Sequence, residues 1–218
     1  MNGTAQIKPS SAPSDLFAAD QPDTHYAGEA RSERMGCSDI VGIDDVRILN
    51  RIAKRPLEAF ATQNTLDEIR RRFGYAFAPW DGRGFYRPVL TAVPVSPGGV
   101  SRVAGMDMDI FNQDHGRLMT LGLRIGPFAY STDVVRLDDA ALDVLHGVDT
   151  WVVGCFLRHE PHWTHANLPT VLGWVERVQP RRTVLTHMGT DMDWAWLLQN
   201  LPAGIEAGYD GMVLEFPD

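Results

Sequence analysis

Three residues that can bind a divalent metal ion directly follow predicted β-strands. His115 follows the alternating segment MDMDIFNQD, Asp133 follows FAYST, and His187 follows RTVLT. Imidazole nitrogens and carboxylate oxygens are ligands that zinc-like ions accept. Side chains at strand ends are held by the sheet and still reach solvent, so sites often gather at such positions in α/β folds. A hydrogen-bonded polar residue at the end of a strand is the alternative at each position, and the spacing alone leaves both interpretations open.

A second cluster of titratable residues lies in the segment RHEPHWTHAN. It contains His159, His162 and His165 between a predicted buried strand and a predicted helix. Histidine titrates near neutral pH, so one of them could act as a general acid or base. A solvated loop or a helix cap is the alternative, and Asn167 is the better candidate for the cap.

Two acids after His187 have a structural explanation. Asp191 is expected to cap the helix in MDWAWLLQN, and Asp193 falls in its first turn, where a negative charge is favourable. Trp174, Trp194 and Trp196 lie in predicted helices without interleaved basic residues. They are expected to pack against the core rather than to stack on nucleic-acid bases.

The elements that must position these residues alternate between strands and helices. Thr65 and Glu68 form a possible capping box for a helix in NTLDEIRRRFG, and Asp138 is expected to cap the helix in LDDAALDVLHG. A short strand is expected at residues 89–93. The patterns also predict strands in TWVVGCF, RRTVLT and GMVLEF, and helices in LPTVLGWVERVQP and DMDWAWLLQNLP. This alternation predicts an α/β domain in which helices cover a sheet.

Composition limits the classes of protein. The chain has 218 residues, 44% of them hydrophobic, which is enough for a core. The net charge is -8 and the basic residues are scattered, so neither a nucleic-acid surface nor a membrane surface is expected. An anionic substrate would need a local positive centre, such as a metal or an arginine. Two cysteines and no long apolar run make a cytoplasmic location the expectation.

The domain boundary is expected near residue 40. Residues 1–39 show neither helical nor strand periodicity and are rich in Ser, Ala, Pro and Asp, which predicts a poorly ordered segment. Residues 40–218 are predicted to form the domain.

The order of several segments resembles a known family. The segments follow one another as in metallo-β-lactamase-fold hydrolases, particularly the phosphoribosyl cyclic phosphate phosphodiesterase branch: FNQDHG, LGLRIGPFAYSTD, WVVG, PHWTHANLPTVLGWVERVQPRRTVLTHMGTDMDW and YDGMVLEF. The segment IVGIDDVRILNR is similar to the segment immediately after that family's metal-binding loop. The resemblance runs from about Ile40 to Phe216. It implies a metallo-β-lactamase-like αββα sandwich that is incomplete, represented by its C-terminal two-thirds.

The resemblance also implies roles for single residues. His115, Asp133 and His187 match metal ligands of the family. His165 matches a loop histidine that donates or accepts a proton during phosphodiester cleavage, and His162 on the same loop is expected to help bind the substrate.

One part of the family pattern is missing. The resemblance calls for a His-x-His-x-Asp-His loop before the GIDD segment, but the aligned residues are Arg34, Gly36, Ser38 and Asp39. A catalytic zinc usually keeps three protein ligands and one open position. The remaining ligands therefore predict at most one divalent ion, zinc or manganese.

The resemblance leaves two alternatives for the function of the chain. In the first, the chain hydrolyses a small-molecule phosphodiester such as a cyclic phosphate, with a metal-activated hydroxide as nucleophile and His165 as general acid. In the second, it is an inactive truncated or frameshifted remnant, or a non-enzymatic binding domain. An incomplete sandwich would expose a sheet face or edge, which predicts poor solubility or homo-oligomerisation.

Overall fold

The computed structural model describes residues 4–5 and 38–217, which divide into two compact units. The larger unit comprises residues 97–217 with 4–5, and the smaller unit comprises residues 38–96. The predicted domain 40–218 spans both. The prediction for residues 1–39 falls mostly outside the described residues, and the boundary at residue 40 stays a prediction.

Short strands and helices alternate along most of the chain. In chain order they are β1 (Thr4–Ala5), a 3-10 helix (Ser38–Asp45), α1 (Val46–Ala53), β2 (Leu57–Ala61), α2 (Gln63–Phe73), a second 3-10 helix (Gly74–Phe77), β3 (Leu90–Pro94), β4 (Gly99–Val103), β5 (Met106–Asp114), β6 (Met119–Ile125), β7 (Phe128–Ser131), α3 (Asp139–Leu145), β8 (Thr150–Gly154), α4 (Leu168–Val178), β9 (Arg182–Thr186), α5 (Trp194–Asn200), β10 (Ile205–Ala207) and β11 (Phe216–Pro217). None of the described helices is both long enough and apolar enough to cross a membrane.

The larger unit is built on a seven-stranded sheet in the order β10-β9-β8-β7-β6-β5-β4. Strands β4 to β7 pair antiparallel, whereas β7 to β10 pair parallel and are connected through α3, α4 and α5. Two successive antiparallel pairings make β5 run in the same direction as β7. The carboxyl ends of β5, β7, β8 and β9 therefore lie at one edge of the sheet, where a site is favoured.

One apolar core fixes this sheet against its helices. Its fully buried members include Leu145, Trp151, Val171, Leu185 and Leu197, which come from α3, β8, α4, β9 and α5. Burying an aliphatic side chain stabilises a fold by about 1.5–3 kcal/mol, so this core holds the strand ends in place.

The smaller unit contains a two-stranded parallel sheet, β2 with β3, and a small core of its own. Asn50 is buried there, and its side chain donates to and accepts from the backbone of Val89. This pairing satisfies the amide in an apolar setting and fixes the chain just before β3.

Several predicted elements are confirmed by the structure. Asp138 caps α3 by accepting from the backbone amide of Ala141, and Asn167 caps α4 by accepting from that of Thr170. The strand predicted at residues 89–93 is β3, displaced by one residue.

Two predicted caps were wrong. Thr62, not Thr65, caps α2, and Glu68 binds Arg71 and Arg72 instead of the start of the helix. Asp193, not Asp191, caps α5. In both cases neighbouring residues offer the same capping chemistry, and the path of the preceding loop selects one of them.

The last predicted strand was also wrong. Residues 211–215 are not in a strand, and only Phe216 of the segment GMVLEF lies in one. The backbone turns at Gly211, whose φ is 83°, and the sheet is instead completed by β10.

Strands β2 and β4 were not predicted, because short half-buried segments resemble loops when they lie near proline and glycine.

Candidate metal centre

Two of the predicted site residues have an unusual backbone conformation. Asp133 has a φ of 53° and His187 a φ of 55°, both in the left-handed region. Asp and His enter this region more readily than most residues, but the conformation still costs about 1–3 kcal/mol and persists only where the surroundings enforce it. Each residue begins a sharp turn after its strand. Strain of this kind clusters at functional sites.

A hydrogen-bond network enforces the turn at Asp133. Thr120 on β6 donates its hydroxyl to the carbonyl oxygen of Asp133 at 2.8 Å. The buried amide of Gln113 on β5 donates to the carbonyl oxygen of Thr132 at 2.9 Å and to the Thr120 hydroxyl at 3.2 Å. Two neighbouring strands thus hold the backbone that presents the carboxylate.

Three histidine side chains converge on the carboxylate of Asp133. The Nε2 atoms of His165 and His187 each lie 3.5 Å from its Oδ1 atom. The two imidazole rings are stacked, with centroids 4.7 Å apart and an interplanar angle of 2°. Ligand atoms of His115, Asp133 and His165 lie within 4.8 Å of one another. The fold therefore brings together the three residues singled out at strand ends and one of the three histidines of the loop, His165.

Thr164 orients the histidines, although sequence analysis did not identify it. Its carbonyl oxygen lies 2.9 Å from Nδ1 of His115. A carbonyl oxygen only accepts, so this Nδ1 atom carries the hydrogen and the lone pair of a neutral His115 is on Nε2. The hydroxyl of Thr164 lies 2.6 Å from Nδ1 of His165 and 3.1 Å from Nδ1 of His162. In the sequence, Thr164 could have been noticed because its hydroxyl-bearing side chain lies between two histidines in the segment HWTH.

The centre is buried. Asp133 is 2% exposed, His165 5% and His115 6%. The Nε2 atoms of His165 and His187 are buried and form no hydrogen bond among the described residues. Burying such polar atoms without a partner is unfavourable, and imidazole nitrogens beside a carboxylate are a chemically suitable set for a divalent ion. The donor set is thus chemically suited to zinc or manganese.

The electrostatics favour the neutral forms of His187 and His162. Burial lowers the pKa of His187, and this effect outweighs the opposing influence of Asp133; His165 and His115 lower it further. Burial also lowers the pKa of His162, followed by the effects of His165 and His115. Neutral imidazole is the form that binds a metal.

An apolar wall and two loop contacts enclose the centre. The Phe156 ring lies 4.8 Å from the ring of His165 and 5.9 Å from that of His187. The backbone amide of Gly189 donates to the carbonyl oxygen of Phe156, and a Cβ atom at Gly189 would lie 2.7 Å from that oxygen. Asp191 accepts from the backbone amide of Arg158 at 2.9 Å. Asp191 therefore fastens the histidine loop to the turn after β9.

The remaining candidates are the other two histidines of the loop and the four residues aligned with the missing metal-binding loop. His162 is half-buried at the rim, whereas His159 is exposed and its ring lies 6.2 Å from that of Trp196. Arg34 and Gly36 fall outside the described residues. Ser38 and Asp39 begin the first 3-10 helix, in the smaller unit.

Comparison with known proteins places this arrangement in a family. Residues 38–188 match the family described as beta-lactamase superfamily domain. A crystal structure of a diphosphatase from the PhnP family is 29% identical, with a TM-score of 0.70 over 81% of this chain and 65% of the other. The metallo-beta-lactamase fold protein YhfI from Bacillus subtilis is 13% identical, with a TM-score of 0.65 over 82% of this chain and 73% of the other, which is evidence for the fold alone.

A curated relative is named octanoyltransferase, from Porphyromonas gingivalis (strain ATCC BAA-308 / W83). It is 28% identical over 174 residues, which are 78% of this chain and 34% of the relative. The chain thus spans about a third of that relative and slightly less than two thirds of the diphosphatase. With the family match covering most of its length, the chain belongs to the beta-lactamase superfamily domain family and has the metallo-β-lactamase fold.

Proposed function

We propose that the chain is a metal-dependent hydrolase of phosphodiester substrates. The observation that carries this proposal is the convergence of His115, His165 and His187 on the buried carboxylate of Asp133. The similarity to a diphosphatase of the PhnP family supports a reaction at phosphorus. Cyclic phosphates are the substrate class that the resemblance implies.

In this proposal His115, Asp133 and His187 hold one divalent ion. Three protein ligands with an open position are typical of catalytic zinc sites. A bound divalent ion lowers the pKa of a water molecule and polarises a phosphoryl oxygen. The Gln113 and Thr120 network fixes the carboxylate, and the carbonyl oxygen of Thr164 fixes the tautomer of His115.

His165 acts as the general acid. Its Nδ1 atom is held by the Thr164 hydroxyl, which leaves Nε2 to give a proton to the leaving oxygen. The Phe156 ring limits the access of water on one side. His162 binds the substrate at the rim. His165 is as close to Asp133 as His187 is, so the experiment must separate the role of proton donor from that of ligand.

The name of the curated relative raises acyl transfer as an alternative. A thiol is one nucleophile that could accept an acyl group, and Cys155 is fully buried. Burial, followed by the charge of Asp191, raises the pKa of its thiol to about 12. A protonated, inaccessible thiol is a poor nucleophile, so Cys155 gives this alternative no support.

Metal analysis combined with a phosphodiesterase assay tests the proposal. The purified chain is expected to bind about one zinc or manganese ion per molecule and to hydrolyse bis(p-nitrophenyl) phosphate. His187→Ala should lose both metal and turnover. His165→Asn should keep the metal and lose turnover by about 10²–10⁴-fold, the usual contribution of a general acid.

The matched control is His159→Asn, which changes an exposed histidine of the same loop and should leave metal content and turnover intact. If the purified chain shows neither bound metal nor turnover, the proposal is wrong. If His165→Asn loses metal as fully as His187→Ala does, His165 is a ligand and its assignment as general acid is wrong.

A further inference from the structure

Trp163 is exposed beside the candidate centre. It is 61% exposed, although it lies between His162 and Thr164, and Thr164 contacts three histidines of the site. A single exposed tryptophan is common on protein surfaces, so its position matters more than its exposure. The ring lies 6.2 Å from that of His162.

The backbone at Trp163 is fixed even though its ring is exposed. Gly116 has a φ of 82°, and a Cβ atom there would lie 2.6 Å from the carbonyl oxygen of Trp163. Only glycine permits this close approach of the loop after β5 to the histidine loop. Both loops carry candidate site residues, so the close approach places the backbone of Trp163 next to the centre.

Arg117 covers one face of this ring. Its guanidinium carbon lies 5.0 Å from the centre of the Trp163 ring, within the range of a cation–π interaction. An indole that is stacked on one face and still 61% exposed has its other face open to solvent.

The nearby acid Asp114 is already neutralised by another arginine. Its Oδ2 atom accepts from Arg136 at 2.9 Å, and its Oδ1 atom accepts from the backbone amide of Gly116 at 2.7 Å. Among the described residues, the guanidinium of Arg117 forms no ion pair and no side-chain hydrogen bond. Its N–H groups are therefore available to an anion next to the centre.

We propose that Arg117 and Trp163 form a subsite for a phosphate ester that carries a planar ring, such as a nucleobase. The ring stacks on the open face of Trp163, and Arg117 donates to the anionic phosphate group. Arginine suits both tasks, because its planar cation stacks on aromatic rings and binds phosphate oxygens. It also supplies a positive centre that a chain of net charge -8 needs near an anionic substrate.

This inference rests on the proposed function and narrows its substrate class. It favours a nucleotide-like diester over a bare sugar phosphate. Stacking on an aromatic side chain tolerates any base, because every base has a π face. The subsite therefore selects for the presence of a ring rather than for one particular base.

Direct binding tests the subsite without depending on turnover. Isothermal titration compares adenosine 5′-monophosphate with ribose 5-phosphate, which lacks the ring. The unchanged chain is expected to bind the nucleotide at least about tenfold more tightly, as base stacking predicts. Trp163→Ala should remove this difference, Trp163→Phe should restore most of it, and Arg117→Ala should weaken both ligands.

Matched controls change residues of the same type that are not part of the proposed subsite. Trp194 is exposed on α5, and Arg102 pairs with Asp107 on the neighbouring β5 strand. Trp194→Ala and Arg102→Ala should leave the binding of both ligands unchanged. Unchanged metal content and melting temperature in the two test variants would show that they are folded.

The outcomes separate this inference from the proposed function. If nucleotide binding depends on Trp163 and Arg117, the subsite is supported even where no hydrolysis is detected. If the two ligands bind equally well, or if neither variant changes nucleotide affinity, the subsite is wrong even where hydrolysis occurs. In an active enzyme, both variants should raise KM for 2′,3′-cyclic AMP while kcat stays within about twofold, as expected when uniform binding is lost.

Discussion

At the residue scale, the chemistry of each titratable group depends on how burial changes its pKa. Asp133, His115 and His165 are buried with the half-buried His187 beside them, and burial keeps the pKa of His187 below its ordinary value. Cys155 is buried at the end of β8, at the edge of the sheet where the carboxyl ends of the strands lie. Burial and the charge of Asp191 disfavour its thiolate form. The same physical effect thus keeps the His187 imidazole in its metal-binding form and makes the Cys155 thiol inert.

The pKa of Cys155 leads to a prediction about alkaline stability. Folding raises this pKa from the ordinary 9.0 to about 12. The thiol's contribution to the free energy of unfolding is therefore fully present below pH 9 and is lost as the pH rises towards 12, because only the unfolded chain ionises in this range. The expected loss is roughly 1.4 kcal/mol per pH unit.

Urea denaturation at pH 8, 9 and 10 measures this loss. A chain with Cys37→Ser isolates Cys155, and the double variant Cys37→Ser with Cys155→Ala is the control. The control should lose less stability with rising pH. Equal pH dependence of the two chains would contradict the raised pKa.

At the element scale, strands β5 and β6 position the end of β7. Gln113 and Thr120 hold the carbonyl oxygens of Thr132 and Asp133, and so they hold a backbone with an unfavourable φ. Residues that support a metal ligand in this way commonly change metal affinity by about 10–100-fold when they are replaced.

Thr120→Val is therefore expected to weaken zinc binding by at least about tenfold and to destabilise the fold by about 1–3 kcal/mol, because the Gln113 amide and the Asp133 carbonyl oxygen each lose one hydrogen bond. Thr183 is the matched control. It is fully buried on β9, and its hydroxyl forms no hydrogen bond among the described residues. Thr183→Val should be neutral or stabilising and should leave zinc affinity unchanged.

Zinc titration and thermal melting of both variants provide the measurement. Equal zinc affinity in Thr120→Val and the unchanged chain would mean that Thr120 does not position Asp133. A loss of stability in both variants to the same extent would point to packing rather than to the hydrogen bonds.

At the scale of the larger unit, the sheet ends in β4, which pairs only with β5 among the described strands. Val100 in this strand is 68% exposed. A terminal strand with exposed apolar residues offers unpaired backbone groups to another chain. This edge is a candidate for the homo-oligomerisation that the sequence predicts.

Light scattering over a range of concentrations tests self-association through β4. The unchanged chain is expected to form a dimer or a larger species, and Val100→Lys should shift it towards the monomer, because a lysine on an edge strand opposes pairing. Val213→Lys is the control, since Val213 is similarly exposed but lies outside a strand. A monomer at all concentrations, or an equal effect of the two substitutions, would rule out β4 as the interface.

Much of the larger unit could be predicted from the sequence. The strands ending before His115 and His187 and the caps Asp138 and Asn167 depend on local periodicity and local hydrogen bonds, which the sequence displays directly. The choice between Asp191 and Asp193 as a cap could not be predicted in this way. It depends on Asp191 binding the amide of Arg158, a residue distant in sequence.

By itself, the sequence determined which residue types stand at the strand ends and, through the order of its segments, the family they resemble. Only the tertiary structure decided that His165 and His187 meet at one oxygen of Asp133, that Thr164 orients the histidines, and that Arg117 covers Trp163. The physical reason is that these distances depend on the register of β7, β8 and β9 and on the packing of their loops. Register and loop packing arise from contacts between distant segments, which no local pattern encodes.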